Sequence, residues 1–314
     1  MLILLWGVAS EAPLAAVREA LERQGAPVAM LDQREMLDTT IDIRVGAGEV
    51  GGAIRVRDQR IDLAAVTGVY VRPYSAAELP SVTAAGPASA AWRHVLAVEA
   101  ILYSWLELTP ALVVSRPEAM GTNNSKPYQL ELIREAGFCI PETLVTTEPE
   151  AARDFWDRHG DVIYKSVSGV RSIVSRMRPE HAARLANVSW CPTQFQRYIA
   201  GREHRVHVVG DEVFACEVHS EADDYRYPGE QPVEIRACTL PREVEDRCRR
   251  LATALGLPVA GIDLRRHHDG AWYCFEVNPC PAFIYYEHAA DLPISTAIAR
   301  LLAGGAEASA PTPS

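Results

Sequence analysis

Val259-Ala260-Gly261-Ile262-Asp263-Leu264 and Trp272-Tyr273-Cys274-Phe275-Glu276-Val277-Asn278 are two strand-like runs joined across His268-Asp269-Gly270-Ala271. Asp-Gly is a preferred two-residue hairpin turn, so the runs are expected to pair antiparallel, and a turn centred on Asp269 and Gly270 sets Asp263 directly opposite Glu276. Period-two alternation puts Asn278 on the face of Glu276. Opposed carboxylates with Cβ atoms about 5 Å apart repel unless something cationic lies between them. Three oxygen ligands that leave room for water and phosphate suit Mg²⁺ bound with a nucleotide better than an all-protein calcium cage. Asp263, Glu276 and Asn278 are therefore candidate metal ligands; the competing reading is a slipped or exposed hairpin with solvated acids.

Upstream lie two unusual cations. Of 31 basic residues only Lys126 and Lys165 are lysine, and the other 29 are arginine. Lysine supplies a compact point charge that fits among phosphate oxygens where the wide guanidinium fork crowds a loop or metal. Ser125 and Pro127 mark a helix start that places Lys126 at the helix mouth, with helical spacing running on to Gly137. Lys165 ends the strand Val162-Ile163-Tyr164-Lys165 and feeds the loop 166 to 172, where Ser168, Gly169, Arg171 and Ser172 can present backbone N–H groups to phosphate. Ordinary surface lysines are the alternative.

Between lysines and carboxylates, Phe195-Gln196-Arg197-Tyr198-Ile199 reads as an extended run that crosses between two lobes. Two strands, 203 to 209 and 213 to 218, then flank Gly210-Asp211. Alternation places Glu203, Arg205 and His207 on one face and His204, Val206 and Val208 on the other. Glu203 can accept from ribose hydroxyls while Arg205 meets phosphate. The two histidines fall on mixed faces, which argues for sheet filling and against a paired metal site.

The first hundred residues read as an open α/β layer: a buried strand at 2 to 6, a helix at 13 to 23, a strand at 27 to 31, polar hairpin strands within 41 to 61, a buried strand at 66 to 71 and a long helix at 88 to 106. Gly7 and Gly25 do not make the three-glycine turn of a dinucleotide site. A boundary is expected near Ser115-Arg116-Pro117. With 314 residues, 48% of them apolar, the chain has material for roughly two domains. A net charge of −10 without a dense basic stripe argues against nucleic acid, and the pairs Arg265-Arg266 and Arg249-Arg250 read as solvated faces. No apolar run is long enough to span a bilayer and no signal peptide is evident, so no membrane partner and a cytoplasmic location are expected. Seven cysteines without a Cys-x-x-Cys indicate neither a disulfide framework nor structural zinc.

Taken in order, the helix-mouth lysine, strand-end lysine, crossing segment, Glu-x-Arg strand, and Asp followed by Glu-x-Asn resemble the ATP-grasp superfamily, specifically its RimK-like ligases, over about residues 115 to 304. The resemblance implies an N-terminal open α/β (pre-ATP-grasp) domain, 1 to 117, followed by a two-lobed α+β ATP-grasp domain, 118 to 304, with lobes of about 118 to 196 and 197 to 304. Residues 305 to 314 are expected to be a disordered tail. It further implies ATP and Mg²⁺ as cofactors, with phosphates held by Lys126 and Lys165 under the loop of Ser168 and Gly169. Gln196, Arg197, Tyr198 and Ile199 are the implied adenine-facing hinge, Glu203 the ribose ligand, and Asp263, Glu276 and Asn278 the Mg²⁺ ligands. Arg205 and Arg226 match positions near the transferred phosphoryl group and the substrate carboxylate. The glycine-rich loop of the family is here reduced to Gly169. The implied activity is a carboxylate-amine ligation through an acyl phosphate, on an amino acid or small carboxylic acid, by a homodimer. The stretch 191 to 209 and the segment 293 to 302 also resemble the synthetases that crosslink side chains of ribosomal peptides, whereas Pro279-Cys280-Pro281-Ala282-Phe283 looks more like stand-alone ligases. A kinase of the same fold and a nucleotide-binding module without turnover are the remaining alternatives.

Overall fold

The computed structural model describes the chain except for residues 47–48, 122–124, 168–173, 221–230 and 309–314. The apolar run at the N-terminus forms β1 (Leu2–Gly7), which sits inside a four-stranded parallel sheet between β2 (Val28–Asp32) and β6 (Val66–Arg72), with β7 (Leu112–Val114) at the far edge. A strand covered on both faces must be apolar at every position, and β1 is. Leu4 and Trp6 pack against α3 (Ala90–Leu108) through Leu102 and Trp105, while Ile3 and Leu5 pack against α1 (Ala12–Arg23). The polar segment between them forms a three-stranded antiparallel sheet of β3 (Thr39–Gly46), β4 (Glu49–Val56) and β5 (Gln59–Asp62).

Two antiparallel sheets follow. One has the order β10-β9-β11-β8, from β8 (Thr143–Thr146), β9 (Val162–Ser166), β10 (Ser175–Arg176) and β11 (Thr193–Arg197), backed by α6 (Pro149–His159) and a 3₁₀ segment, Pro179–Trp190. The other has the order β14-β13-β12-β15-β16, from β12 (Arg202–Val209), β13 (Glu212–Ser220), β14 (Val233–Cys238), β15 (Val259–Arg266) and β16 (Trp272–Asn278). Its apolar underside, Val206, Val208, Ile262, Leu264 and Val277, is covered by α7 (Arg242–Ala254) and by α5 (Lys126–Glu135).

Packing crosses the boundaries expected from the sequence. Helix α5, expected in the first lobe, lays Leu130 and Ile133 on the five-stranded sheet because its apolar stripe matches that underside. Helix α9 (Ile294–Ala308) packs Ile294, Ile298 and Leu302 onto the N-terminal parallel sheet beside α1. It also continues through Ala308, so the tail expected from residue 305 begins as helix. Gln196 and Arg197 belong to β11 and pair with β8 and β9, leaving a connector of only a few residues before β12. Among the described residues no helix is long and apolar enough to cross a membrane.

Candidate active site

Asp263 pairs with Glu276 across β15 and β16, as the turn argument requires, but by a different route. The turn is a three-residue loop: His267 N–H bonds Ala271 O, Gly270 N–H bonds His267 O, and Gly270 takes φ +91°, the left-handed conformation that such loops need and glycine adopts without strain. Near the turn Leu264 therefore pairs with Cys274 and Arg265 with Tyr273, and the register shifts between Asp263 and Leu264. Phe275 is the extra residue of a β-bulge, and it restores the opposition of Asp263 and Glu276. The bulge also exchanges faces: Trp272 and Cys274 are buried in the core, whereas Glu276 and Asn278 stand on the cleft side with Val277 beneath them.

Lys126, the first residue of α5, and Lys165, in β9, are both 5% exposed and converge on one oxygen of Glu276, at 3.5 and 4.0 Å. Arg205 donates from Nη1 to Asp263 Oδ1 at 2.6 Å, and its Nε reaches His207 Nε2 at 3.4 Å. Burial, with the Arg205 charge added, holds the His207 pKa well below its ordinary value, so the imidazole is neutral and accepts from the guanidinium. Gly261 lies opposite both His207 and Asn278; a Cβ there would collide with the Arg205 guanidinium and the Pro281 ring. Each of the opposed carboxylates thus also has a basic side chain of the protein beside it.

After Asn278 the chain turns back, Cys280 N–H bonding Asn278 Oδ1 at 2.9 Å. The loop is tied to the ends of the parallel strands: Ser115 Oγ donates to Pro279 O at 3.3 Å, and Arg72, paired with Glu11 at 2.7 Å, donates to Pro281 O at 3.2 Å. Asp263, Glu276 and Asn278 offer oxygen only. Among the described residues no cage of three or more His, Cys, Asp and Glu side chains competes with them. Two carboxylates and an amide fit Mg²⁺, which keeps positions for water and phosphate oxygens.

A cleft of about 670 Å³ adjoins this cluster, lined by Arg176, Tyr198, Glu203, Glu217, His219 and Arg265 among others. The Arg176 guanidinium lies 3.8 Å from the centre of the Tyr198 ring. Arg265 lies between the rings of Tyr198 and Phe275, at 5.5 and 5.2 Å, and donates to Ile199 O at 2.8 Å and to Glu203 at 2.9 Å. The expectation of a solvated arginine pair fails for Arg265: strand alternation exposes Arg266 and turns Arg265 toward Glu203. Of the expected hinge, Gln196 is buried and bonds Thr143, Arg197 is exposed, and the N–H groups of Arg197 and Tyr198 are taken by Glu142 O and Asp161 O. Ser168, Gly169 and Arg226, with Arg171 and Ser172, lie outside the described residues.

Sequence reasoning missed Arg265, Arg176 and Gln129. The buried Gln129 amide bonds both the N–H and the C=O of Val277, each at 2.9 Å. Its only sequence signal is a polar residue one turn after Lys126 beside an apolar helix stripe.

A family model described as RimK-like ATP-grasp domain matches residues 123–302. A probable alpha-L-glutamate ligase of Sodalis glossinidius (strain morsitans) is 27% identical over 201 residues, covering 60% of this chain and 68% of that protein. The ATP-grasp ligase PsnB, solved with a phosphomimetic variant of a minimal precursor, Mg and ADP, is 26% identical with a TM-score of 0.80, over 96% of this chain and 98% of its own. The macrocyclase MdnC of Microcystis aeruginosa MRC, solved with the precursor peptide MdnA, superposes with a TM-score of 0.81 at 23% identity, over 96% of this chain and 99% of its own.

Proposed function

Since the chain belongs to the RimK-like ATP-grasp family and is a ligase that forms carbon-nitrogen bonds, we propose that its substrate is a peptide, in which it activates a side-chain carboxylate with ATP and joins it to a nucleophilic side chain. The observation that carries this reading is an apolar groove of about 150 Å³ between the four-stranded sheet and the segment Pro179–Trp190, lined by Tyr164, Met177, Leu185, Val188 and Phe195 among others. Trp190, at the end of that segment, is 90% exposed. An apolar side chain of a peptide segment fits this lining, and His181 and Arg184 at its side can meet an acidic neighbour in the same peptide. PsnB, which this chain matches along nearly its whole length, was solved with a precursor peptide variant.

In the proposed reaction the carboxylate attacks the γ-phosphorus of ATP, the β–γ bridging bond breaks, and ADP leaves. The resulting acyl phosphate is displaced by the amine, releasing phosphate. Lys126 and Lys165 hold phosphate oxygens, Arg205 neutralises charge on the transferred phosphoryl group, and Glu203 faces the ribose. Asp263, Glu276 and Asn278 would hold Mg²⁺, which supplies charge neutralisation on the phosphates when bound. Without ligands, the carboxylates hold the three cations in place, so little side-chain ordering remains when phosphate oxygens arrive. Arg226 is assigned to the substrate carboxylate on the strength of the family pattern alone.

The test offers the enzyme ATP, Mg²⁺ and peptides carrying Glu or Asp together with Lys, with hydroxylamine as an alternative acceptor. Loss of one water per link, ADP as the product, and transfer of carboxyl ¹⁸O into phosphate are expected from peptides only. Hydroxamate from free amino acids would restore the small-acid reading, which the likeness to a glutamate ligase favours. AMP in place of ADP, or a stable phosphorylated product, would exclude the acyl-phosphate route.

A further inference from the structure

β16 is an edge strand, and at two places its outward backbone groups are nevertheless occupied. At its start Cys139 takes them, donating to Trp272 O at 3.0 Å and accepting from Cys274 N–H at 2.9 Å. Beyond the bulge, the Gln129 side chain takes both groups of Val277. An unbulged strand turns every second residue outward, so after Trp272 and Cys274 the next would be residue 276. Gln129 can bond Val277 in this way only because the extra residue at Phe275 has changed the parity.

The alternative register is costly for function. Without the bulge, Asp263 would face Phe275, and Glu276 and Asn278 would share the core face of Trp272 and Cys274, since a one-residue slip moves every later side chain to the other face. Gln129 is 2% exposed, on the helix whose first residue is Lys126, and Val277 lies between Glu276 and Asn278. One side chain therefore ties the lysine-bearing helix to the strand of the metal-ligating carboxylate.

We infer that Gln129 is a positioning residue: by standing in for a neighbouring strand at Val277 it locks the bulged register of β16, and through that register it sets the Mg²⁺ ligands Glu276 and Asn278 at a fixed distance from Lys126. The inference rests on reading Asp263, Glu276 and Asn278 as the Mg²⁺ ligands. It assigns Gln129 no contact with metal or substrate.

The probe is Mn²⁺ in the presence of ADP, with binding followed by electron paramagnetic resonance on the full-length protein. Gln129→Met keeps the size and removes both hydrogen bonds, and should weaken Mn²⁺ binding by about tenfold or more, in the range seen when groups that orient metal ligands are removed. Metal-free ADP affinity should stay near wild type. Leu130→Ala opens a cavity under the same helix but leaves both Gln129 bonds to Val277 in place, and should leave Mn²⁺ binding near wild type. Wild-type Mn²⁺ affinity in Gln129→Met, or an equal loss in Leu130→Ala, overturns the inference. Asp263→Asn separates the two levels. Its loss of Mn²⁺ binding beside a normal Gln129→Met overturns the inference alone, while normal binding in both overturns the metal assignment. A further check needs no variant: the Val277 amide of the wild type should exchange with solvent as slowly as the amides of β15, and fast exchange would show that no lock exists.

Discussion

Lys126 and Lys165 meet on a single carboxylate oxygen of Glu276, at 3.5 and 4.0 Å, in a site where each lysine is almost wholly buried. Arg205 holds Asp263 in the same way at 2.6 Å. Each of the opposed carboxylates is therefore paired with basic side chains, and removing one loses those pairs instead of relieving repulsion.

Glu276→Gln should abolish ADP release and lower stability by about 2 kcal/mol, through loss of its ion pairs with Lys126 and Lys165. Asp263→Asn should act in the same direction through Arg205. Urea unfolding without metal, measured beside ADP release, checks both. Unchanged or raised stability would mean that the lysine-glutamate contacts carry no energy.

Lys165→Arg keeps the charge but must fit a planar fork into a site that is 5% exposed. A rate loss of at least about tenfold, roughly 1.4 kcal/mol in the transition state, is expected, with Lys126→Arg similar. Normal turnover in both variants would refute the role inferred from the scarcity of lysine.

Gly261→Ala places a methyl group against the Arg205 guanidinium and the Pro281 ring. Displacing those groups by about 1 Å should cost about a hundredfold in turnover. Circular dichroism should stay native, because β15 keeps its backbone pairing.

Burial lowers the pKa of both His207 and His204, that of His207 well below its ordinary value. Their folded pKa lies under the unfolded one, so the unfolded chain takes up protons first as pH falls. Stability is complete above pH 6.5, the ordinary histidine value, and declines below it, by up to about 1.4 kcal/mol per pH unit for His207 and by less for His204. His207→Phe should remove the larger part of that slope, read from urea midpoints between pH 7 and 5.5. An unchanged slope would show that His207 is protonated in the native protein.

The sequence by itself determined what local pattern can carry. Apolar runs and helical spacing named the parallel N-terminal layer, the scarcity of lysine singled out Lys126 and Lys165, and alternation grouped Glu203 with Arg205 and Glu276 with Asn278. It also contained the trace of the bulge. Trp272, Cys274, Glu276 and Asn278 share one parity, yet two belong in a core and two in water, and no straight strand satisfies all four. The opposition of Asp263 and Glu276 was expected from a two-residue turn; a three-residue turn and the bulge, two offsetting one-residue shifts, produce it instead. Only the tertiary structure decided which cations hold the carboxylates, that α5 and α9 pack across the expected boundaries, and that Gln129 completes the edge of β16 from 148 residues away. The physical reason is range. Hydrogen-bond periodicity and side-chain alternation act over a few residues and leave a mark in the sequence, whereas an ion pair or an edge bond between distant segments depends on how their surfaces dock.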